Sequence, residues 1–337
     1  MKIALYGFGA FNASIGSYLS DKYYADSSIE IACWDVDSYV TCEFIRNRIH
    51  PYHPSIKFNS KLGVVRNAEE LLADANIVIL GISAQAIREN LRKVKDYVLP
   101  DCIFVIVAKG LEQGSGKRFS EVVREELFDK CRVAVFSGGT IAYDIANKIP
   151  LVAEVASTDR VVRAQVAELF HSASLRVYLN PDILSVELAG ALKNVISIGA
   201  GIVDGIGYGV GTKSSFITRA GYDVYKLAKK MGASDKVFLP GSASFWGDVL
   251  LSCFGKTRNL EFGIRIGRGE KVLDVLSEMG KEHKTVEGYA TVKAVNGLLE
   301  EYSVDAPCLV ELYKILYENK DVNLAFSQLM SREQKEL

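Results

Sequence analysis

Little in this 337-residue sequence points to a metal, a disulfide framework, a nucleic acid or a membrane, and each shortage narrows what the chain can be. Histidine occurs only four times. His50 and His53 are the one close pair, in a turn-like stretch with Pro51 and Pro54, and no further ligand stands nearby, so no metal is expected. The six cysteines, at 33, 42, 102, 131, 253 and 308, form no C-x-x-C pair. Four lie in or beside apolar runs, as buried free thiols do, so a reducing, cytoplasmic setting is expected. Neither sign of charge is in excess: 40 Lys and Arg against 41 Asp and Glu leave a net charge of −1. No global field therefore draws the chain to nucleic acid or anionic lipid, and any anion site must be local. No run of about 18 apolar residues lacks a charged or strongly polar group, which argues against membrane insertion. The N-terminal MKIALYGFGAFNASIG is broken by glycines and Asn12 and reads as a strand and turn rather than a secretory signal. Internal repeats and low-complexity tracts are absent too.

What is present is a change of pattern part-way along the chain. Residues 2–6, 29–34, 77–80, 103–107 and 133–136 are short, β-branched, largely apolar runs without alternation, as strands covered on both faces should be. Helical patterns at 10–19, 68–73, 87–98 and 119–128 fall between them, which predicts an α/β fold with a mostly parallel sheet in right-handed βαβ units. Runs at 151–155 and 175–178 extend that sheet. After Asn180 the strands give out, and 186–202, 216–231, 246–253, 272–278, 290–302 and 308–317 all show helical phasing. Two domains follow, residues 1–180 built on the sheet and 181–337 all-helical. The polar tail 331–337 is expected to fray.

The stretch NPDILSVELAGALKNVISIGAGIVDGI organises the chain. Asn180 is a suitable N-cap and Pro181 a suitable first helical residue, so the helix is expected to start at Pro181. Leu188, Leu192, Val195, Ile198 and Ile202 make one apolar face; Gly190, Lys193, Ser197, Gly201 and Asp204 make a trough of small residues with one long cation. Two readings of the glycines compete: the approach of a ligand, which we favour, or close packing of a second helix. Lys193, flanked by Leu192 and Val195, is a candidate for partial desolvation and proton transfer.

Gly7, Gly9 and Asn12 stand as G-F-G-A-F-N between the first strand and the first helix, where a dinucleotide fingerprint belongs. Asn12 replaces the third glycine, the position that governs helix-to-strand packing. Asp35 closes the second strand in C-W-D-V-D; if Asp35 or Asp37 reaches the adenosine 2′-hydroxyl, a 2′-phosphate is repelled, and no arginine follows at once to receive it. NAD is therefore favoured over NADP. Asp248 and Ser252 share a helix face amid apolar neighbours, and Lys193 is a plausible partner for the carboxylate. Gly255-Lys256-Thr257-Arg258-Asn259 reads as a loop of donors in which the Arg258 fork suits a phosphate. Lys109, in A-K-G-L-E at the end of a strand, lies where open α/β sheets bind ligands; Arg219 is a further candidate.

With these residues placed, the chain resembles NAD(P)-dependent glycerol-3-phosphate dehydrogenase from near its first residue to about Tyr317. V-E-L-A-G-A-L-K-N-V, residues 186–195, is similar to that family's catalytic helix almost position for position. S-A-Q, A-K-G-L-E, S-G-G-T-I-A, I-T-R, T-R-N-L-E-F-G and V-E-G follow in the family's order. The resemblance implies a Rossmann domain followed by a helical substrate domain, interconverting dihydroxyacetone phosphate and sn-glycerol 3-phosphate. It implies Lys193 as general acid and base at the C2 oxygen, with Asn194 and Asp248 ordering the site. Lys109 would hold substrate, and Ser252, Arg258 and Asn259 its phosphate end. Gly7, Gly9, Phe11, Asn12, Asp35, Lys109, Arg258 and Glu287 would serve the cofactor. A homodimer acting on a small phosphorylated substrate is expected.

Five departures stand out: Asn12 for the third glycine, Phe11 for tryptophan, Gly139 for proline, Gly211 for asparagine and Ser252 for threonine. They leave open a divergent member acting on another small phospho-polyol or hydroxy acid, or a non-catalytic NAD-binding sensor. A 6-phosphogluconate-type enzyme would place its lysine and asparagine about one helical turn apart, whereas Lys193 and Asn194 are adjacent.

Overall fold

A computed structural model describes residues 1–128 and 131–334. The end of the tail expected to fray, residues 335–337, lies outside the described residues. The chain divides into two compact units, Met1–Ala108 with Arg118–Val186, and Lys109–Lys117 with Glu187–Leu337.

The first unit alternates strands and helices. In order these are β1 (Lys2–Tyr6), α1 (Ala10–Lys22), β2 (Glu30–Trp34), α2 (Ser38–Asn47), β3 (Leu62–Val64), α3 (Ala68–Leu72), β4 (Ile77–Leu80), α4 (Ile87–Val94), β5 (Cys102–Ile106), α5 (Phe119–Leu127), β6 (Cys131–Ser137), α6 (Ala142–Ala146), β7 (Leu151–Ala156), α7 (Arg160–Phe170) and β8 (Leu175–Asn180). They form an eight-stranded sheet in the order β3-β2-β1-β4-β5-β6-β7-β8. All neighbours run parallel except β6 and β7. Every residue of β4 and β5 is buried, which is why these strands read as unbroken apolar runs. Strand order reverses between β1 and β4, so the G-F-G turn leaving β1 opens at the topological switch point, where such sheets bind ligands.

The second unit holds α9 (Val210–Lys230), α10 (Asp248–Phe254), α11 (Arg258–Gly267), α12 (Val272–Lys281), α13 (Glu287–Glu301), α14 (Pro307–Tyr317) and α15 (Val322–Met330), together with most of α8 (Ile183–Ile206). By length and composition α8 could cross a bilayer, but 94% of its most apolar window is buried inside the protein. Its start differs from expectation. Asn180 ends β8, and the helix begins at Ile183, where Asp182 Oδ1 accepts the Ser185 N–H at 3.0 Å and so acts as the cap.

The trough on α8 is mainly a helix-packing groove, contrary to the ligand reading. A Cβ on Gly201 would lie 2.3 Å from Leu260 O, and one on Gly205 2.2 Å from Ile264 O. From the other side, a Cβ on Gly263 would lie 2.1 Å from Ile198 O and one on Gly267 2.4 Å from Ile202 O. Two Gly-x-x-x-Gly pairs thus let the backbones of α8 and α11 touch. Asp204, at the end of the trough, is held by the buried Lys213 at 2.6 Å.

Candidate active site

The cofactor turn is built within the first unit. Gly7 has φ +85°, and a Cβ there would lie 2.6 Å from Ile82 Cγ2, so only glycine fits. Gly9 precedes α1 without any side-chain cap, and a Cβ there would meet nothing within 4 Å. This leaves room for a diphosphate over the N–H groups of the helix, as a dinucleotide requires. Phe11, in the first turn of α1, packs toward Phe136 with ring centroids 6.4 Å apart.

Asn12, expected among the cofactor contacts, instead points inward. It is 0% exposed, and its amide nitrogen donates to the carbonyls of Gly7 at 2.8 Å and Ile79 at 3.1 Å. It fills space that Gly81 leaves: a Cβ on Gly81 would lie 2.2 Å from Asn12 Cγ. The missing third glycine is therefore compensated on β4's side, and Asn12 ties the ends of β1 and β4 together. Two further side chains hold the turn. Asp35 Oδ2 accepts the Phe8 N–H at 2.5 Å, and His50 Nε2 lies 2.5 Å from Phe8 O. Because a carbonyl must accept, Nε2 carries the proton, and Nδ1 then accepts the Tyr52 N–H at 3.2 Å. Burial pushes the His50 ring below its ordinary pKa, against the opposing pull of Phe8 O and Asp35. In the sequence His50 shows only as an implausible zinc ligand; its pairing with Phe8 spans 42 positions and carries no local signal.

The second unit gathers a cluster of charge around Asp248. A π-helical turn, Ala243–Gly247, leads into α10 and delivers this carboxylate, 1% exposed, at the helix start. Lys193 Nζ approaches Asp248 Oδ1 at 2.9 Å, and Lys109 Nζ donates to Oδ2. Lys109 comes from the Lys109–Lys117 segment, which packs with the helices of the second unit although β5 and α5 of the first unit flank it in sequence. Lys193 Nζ also donates to Ser252 Oγ at 2.6 Å, so Ser252 serves the lysine. Beneath it, Ser197 and Thr257 both donate to Ser252 O, at 2.7 and 2.9 Å.

Electrostatics follow from this geometry. Burial pushes the Asp248 carboxyl up, but the two ammoniums more than reverse that, and the group sits below the usual carboxylate value. Burial pushes Lys109 down; Asp248 opposes this, and the neighbouring Lys193 charge adds to the fall. Glu287 is pushed up by burial against the pull of Arg258, Lys193 and Lys109. Two lysines thus share one buried carboxylate.

Arg258 and Asn259, expected on a loop, form the first turn of α11. The Arg258 side chain is exposed, and Thr257 does not cap the helix with its hydroxyl. Asn259 is buried: it donates to Asn194 Oδ1 at 3.0 Å and accepts the Gly288 N–H at 3.0 Å. Its side chain thus links α8, α11 and α13. Arg219 lies over the Tyr222 ring on α9, 5.6 Å from its centroid. Gly211 stands in the first turn of α9, where a Cβ would meet open space. Among the described residues no group of three or more His, Cys, Asp or Glu side chains could hold a metal.

Comparison with known proteins decides the family. The model of the NAD-dependent glycerol-3-phosphate dehydrogenase N-terminus matches residues 2–162, and that of the C-terminus residues 182–327. The chain is 34% identical over 339 aligned residues to the glycerol-3-phosphate dehydrogenase [NAD(P)+] of Prosthecochloris aestuarii, covering 99% of each chain. The chain belongs to the NAD-dependent glycerol-3-phosphate dehydrogenase family. A member named in the same way, from Clostridium tetani, is 33% identical, with 99% of this chain and 93% of that one covered. The crystal structure of the family member from Coxiella burnetii superposes with a TM-score of 0.90 at 25% identity, covering 98% of this chain and 99% of that one.

Proposed function

We propose that the protein interconverts dihydroxyacetone phosphate and sn-glycerol 3-phosphate, with a nicotinamide dinucleotide held at the G-F-G turn and substrate at the lysine cluster. The observation that carries this reading is the single buried carboxylate of Asp248 clasping both Lys109 and Lys193. Bound nicotinamide supplies or accepts the hydride at C2. The chain's own task is to fix the substrate and manage charge on the C2 oxygen. Lys193, 8% exposed and oriented by Asp248 and Ser252, is the group we assign to donate a proton to that oxygen and to withdraw it in reverse. As an ammonium in a water-poor setting it also stabilises negative charge there before the proton moves.

Lys109 adds a second cation, and Arg258 at the uncapped start of α11 is the group we assign to the phosphate. Asn259, committed to Asn194 and Gly288, acts in this reading by fixing the Asn194 amide rather than by gripping phosphate with its whole side chain. Ser252 is likewise a holder of Lys193.

Mixing the purified protein with NADH and dihydroxyacetone phosphate and following absorbance tests the proposal. Turnover is expected, and Lys193→Ala should lower kcat by about a thousandfold with NADH affinity little changed. Saturable NADH binding without turnover in the unmodified protein would overturn the catalytic reading.

A further inference from the structure

We infer that the protein selects NAD(H) over NADP(H), and that Asp37, rather than the fingerprint carboxylate Asp35, makes the selection. The inference rests on the G-F-G turn being a dinucleotide site. In doubly wound sheets the adenosine ribose lies beyond the carboxyl end of the second strand, and an acidic side chain there takes its hydroxyls. Here two carboxylates follow β2, and the structure gives them different tasks.

Asp35 is spent on the protein. Its Oδ2 accepts the Phe8 N–H at 2.5 Å and its Oδ1 the Asp37 N–H at 2.9 Å, both in partly buried surroundings. It closes the G-F-G turn against the β2 end and so shapes the site for either cofactor. Asp37 faces outward. Its Oδ1 caps α2 by accepting the Tyr39 N–H at 2.9 Å, and its Oδ2 accepts the Tyr52 hydroxyl at 3.0 Å, both at the surface. Each carboxylate oxygen has two lone pairs, so both retain capacity for a ribose hydroxyl.

A 2′-phosphate finds the opposite. The N-terminus of α2, the natural seat for such an anion, already carries the Asp37 carboxylate. The segment from Trp34 through Ile45 contains no Lys or Arg. The first cation, Arg46 in the last turn of α2, pairs with Glu43 at 2.9 Å; the next, Arg48, donates to Asn59 O at 2.5 Å. A phosphate dianion would thus meet negative charge at a capped helix end with no cation in that segment to answer it.

Calorimetric titration of the full-length protein with NADH and with NADPH tests this. NADH should bind tighter by on the order of a hundredfold. Asp37→Ser keeps a hydroxyl able to cap α2, and should narrow that ratio about tenfold, chiefly through tighter NADPH. Asp35→Ala should weaken both cofactors by similar factors and leave the ratio alone. Wild-type dissociation constants within about threefold of each other would overturn the inference without need of any variant. So would an unchanged ratio in Asp37→Ser. Equal binding with dihydroxyacetone phosphate still reduced would sink the selectivity alone; no binding of either cofactor would sink the dinucleotide reading with it.

Discussion

Replacing Asp248 by asparagine tests the architecture of the site most directly. The substitution keeps shape and one acceptor oxygen, but removes the charge and turns an amide N–H2 toward one of two ammoniums. With Lys193 at 2.9 Å and an effective dielectric of about 20, each pair contributes on the order of 5 kcal/mol of Coulomb attraction before desolvation is set against it. Removing one partner from a buried, hydrogen-bonded charge group costs about 3–5 kcal/mol, and here two cations are stranded beside each other. Asp248→Asn should therefore lower Tm by roughly 4–7 °C in a chain of this size. Loss of Lys193 orientation should lower kcat by about a hundred- to a thousandfold. The assays are thermal melting, NADH oxidation with dihydroxyacetone phosphate, and NADH titration, which should change little because the G-F-G turn is built elsewhere. The sign of the pH effect is also fixed. The folded Asp248 carboxyl sits below its ordinary value, so its stabilisation is present above about pH 3.9 and is lost as pH falls through the folded value. The Tm gap between wild type and variant should therefore close in acid. A variant retaining more than about a tenth of wild-type kcat with an unshifted Tm would refute the reasoning.

Three further outcomes are expected. Arg258→Ala should raise KM for the phosphorylated substrate by about one to two orders of magnitude with a smaller effect on kcat, checked by steady-state kinetics; equal losses on a ketone lacking phosphate would contradict the assignment. His50, whose folded pKa is depressed, contributes stability that is intact above about pH 6.5 and declines as pH falls below it. Melting curves should show that decline, and His50→Gln, which keeps a donor for Phe8 O, should flatten it. Gly263→Ala forces a Cβ to within 2.1 Å of Ile198 O and should cost about 1–3 kcal/mol or more, read as a lowered denaturation midpoint.

Strands that are buried on both faces announce themselves: the runs at 2–6 and 77–80 coincide with β1 and β4 because burial from Ile3 to Tyr6 and throughout β4 leaves them largely apolar and without alternation. β3 does not, because Leu62–Val64 is too short to show a period. The start of α11 reads as a loop because Gly255 and Thr257 precede it and Gly263 and Gly267 interrupt it; the last two are glycine for the sake of α8, which no local pattern records. Lys193 and Asp248 can be singled out from helix faces and apolar neighbours. That Lys109 joins them from 139 positions before Asp248 cannot, since it depends on where the Lys109–Lys117 segment packs. Asn12 has the look of a defect in the fingerprint, and only Gly81 opposite it shows the compensation.

The placement of Lys109–Lys117 also bears on how this polypeptide can be divided. A fragment cut at the obvious boundary, keeping residues 187–337, would carry Asp248 with one of its two cations and a hole where that segment belongs. The complementary piece would display an orphaned excursion between β5 and α5. Split or permuted versions should therefore regain catalysis only when the excursion is returned to its helical neighbours, which makes it a natural reporter of whether the halves have assembled.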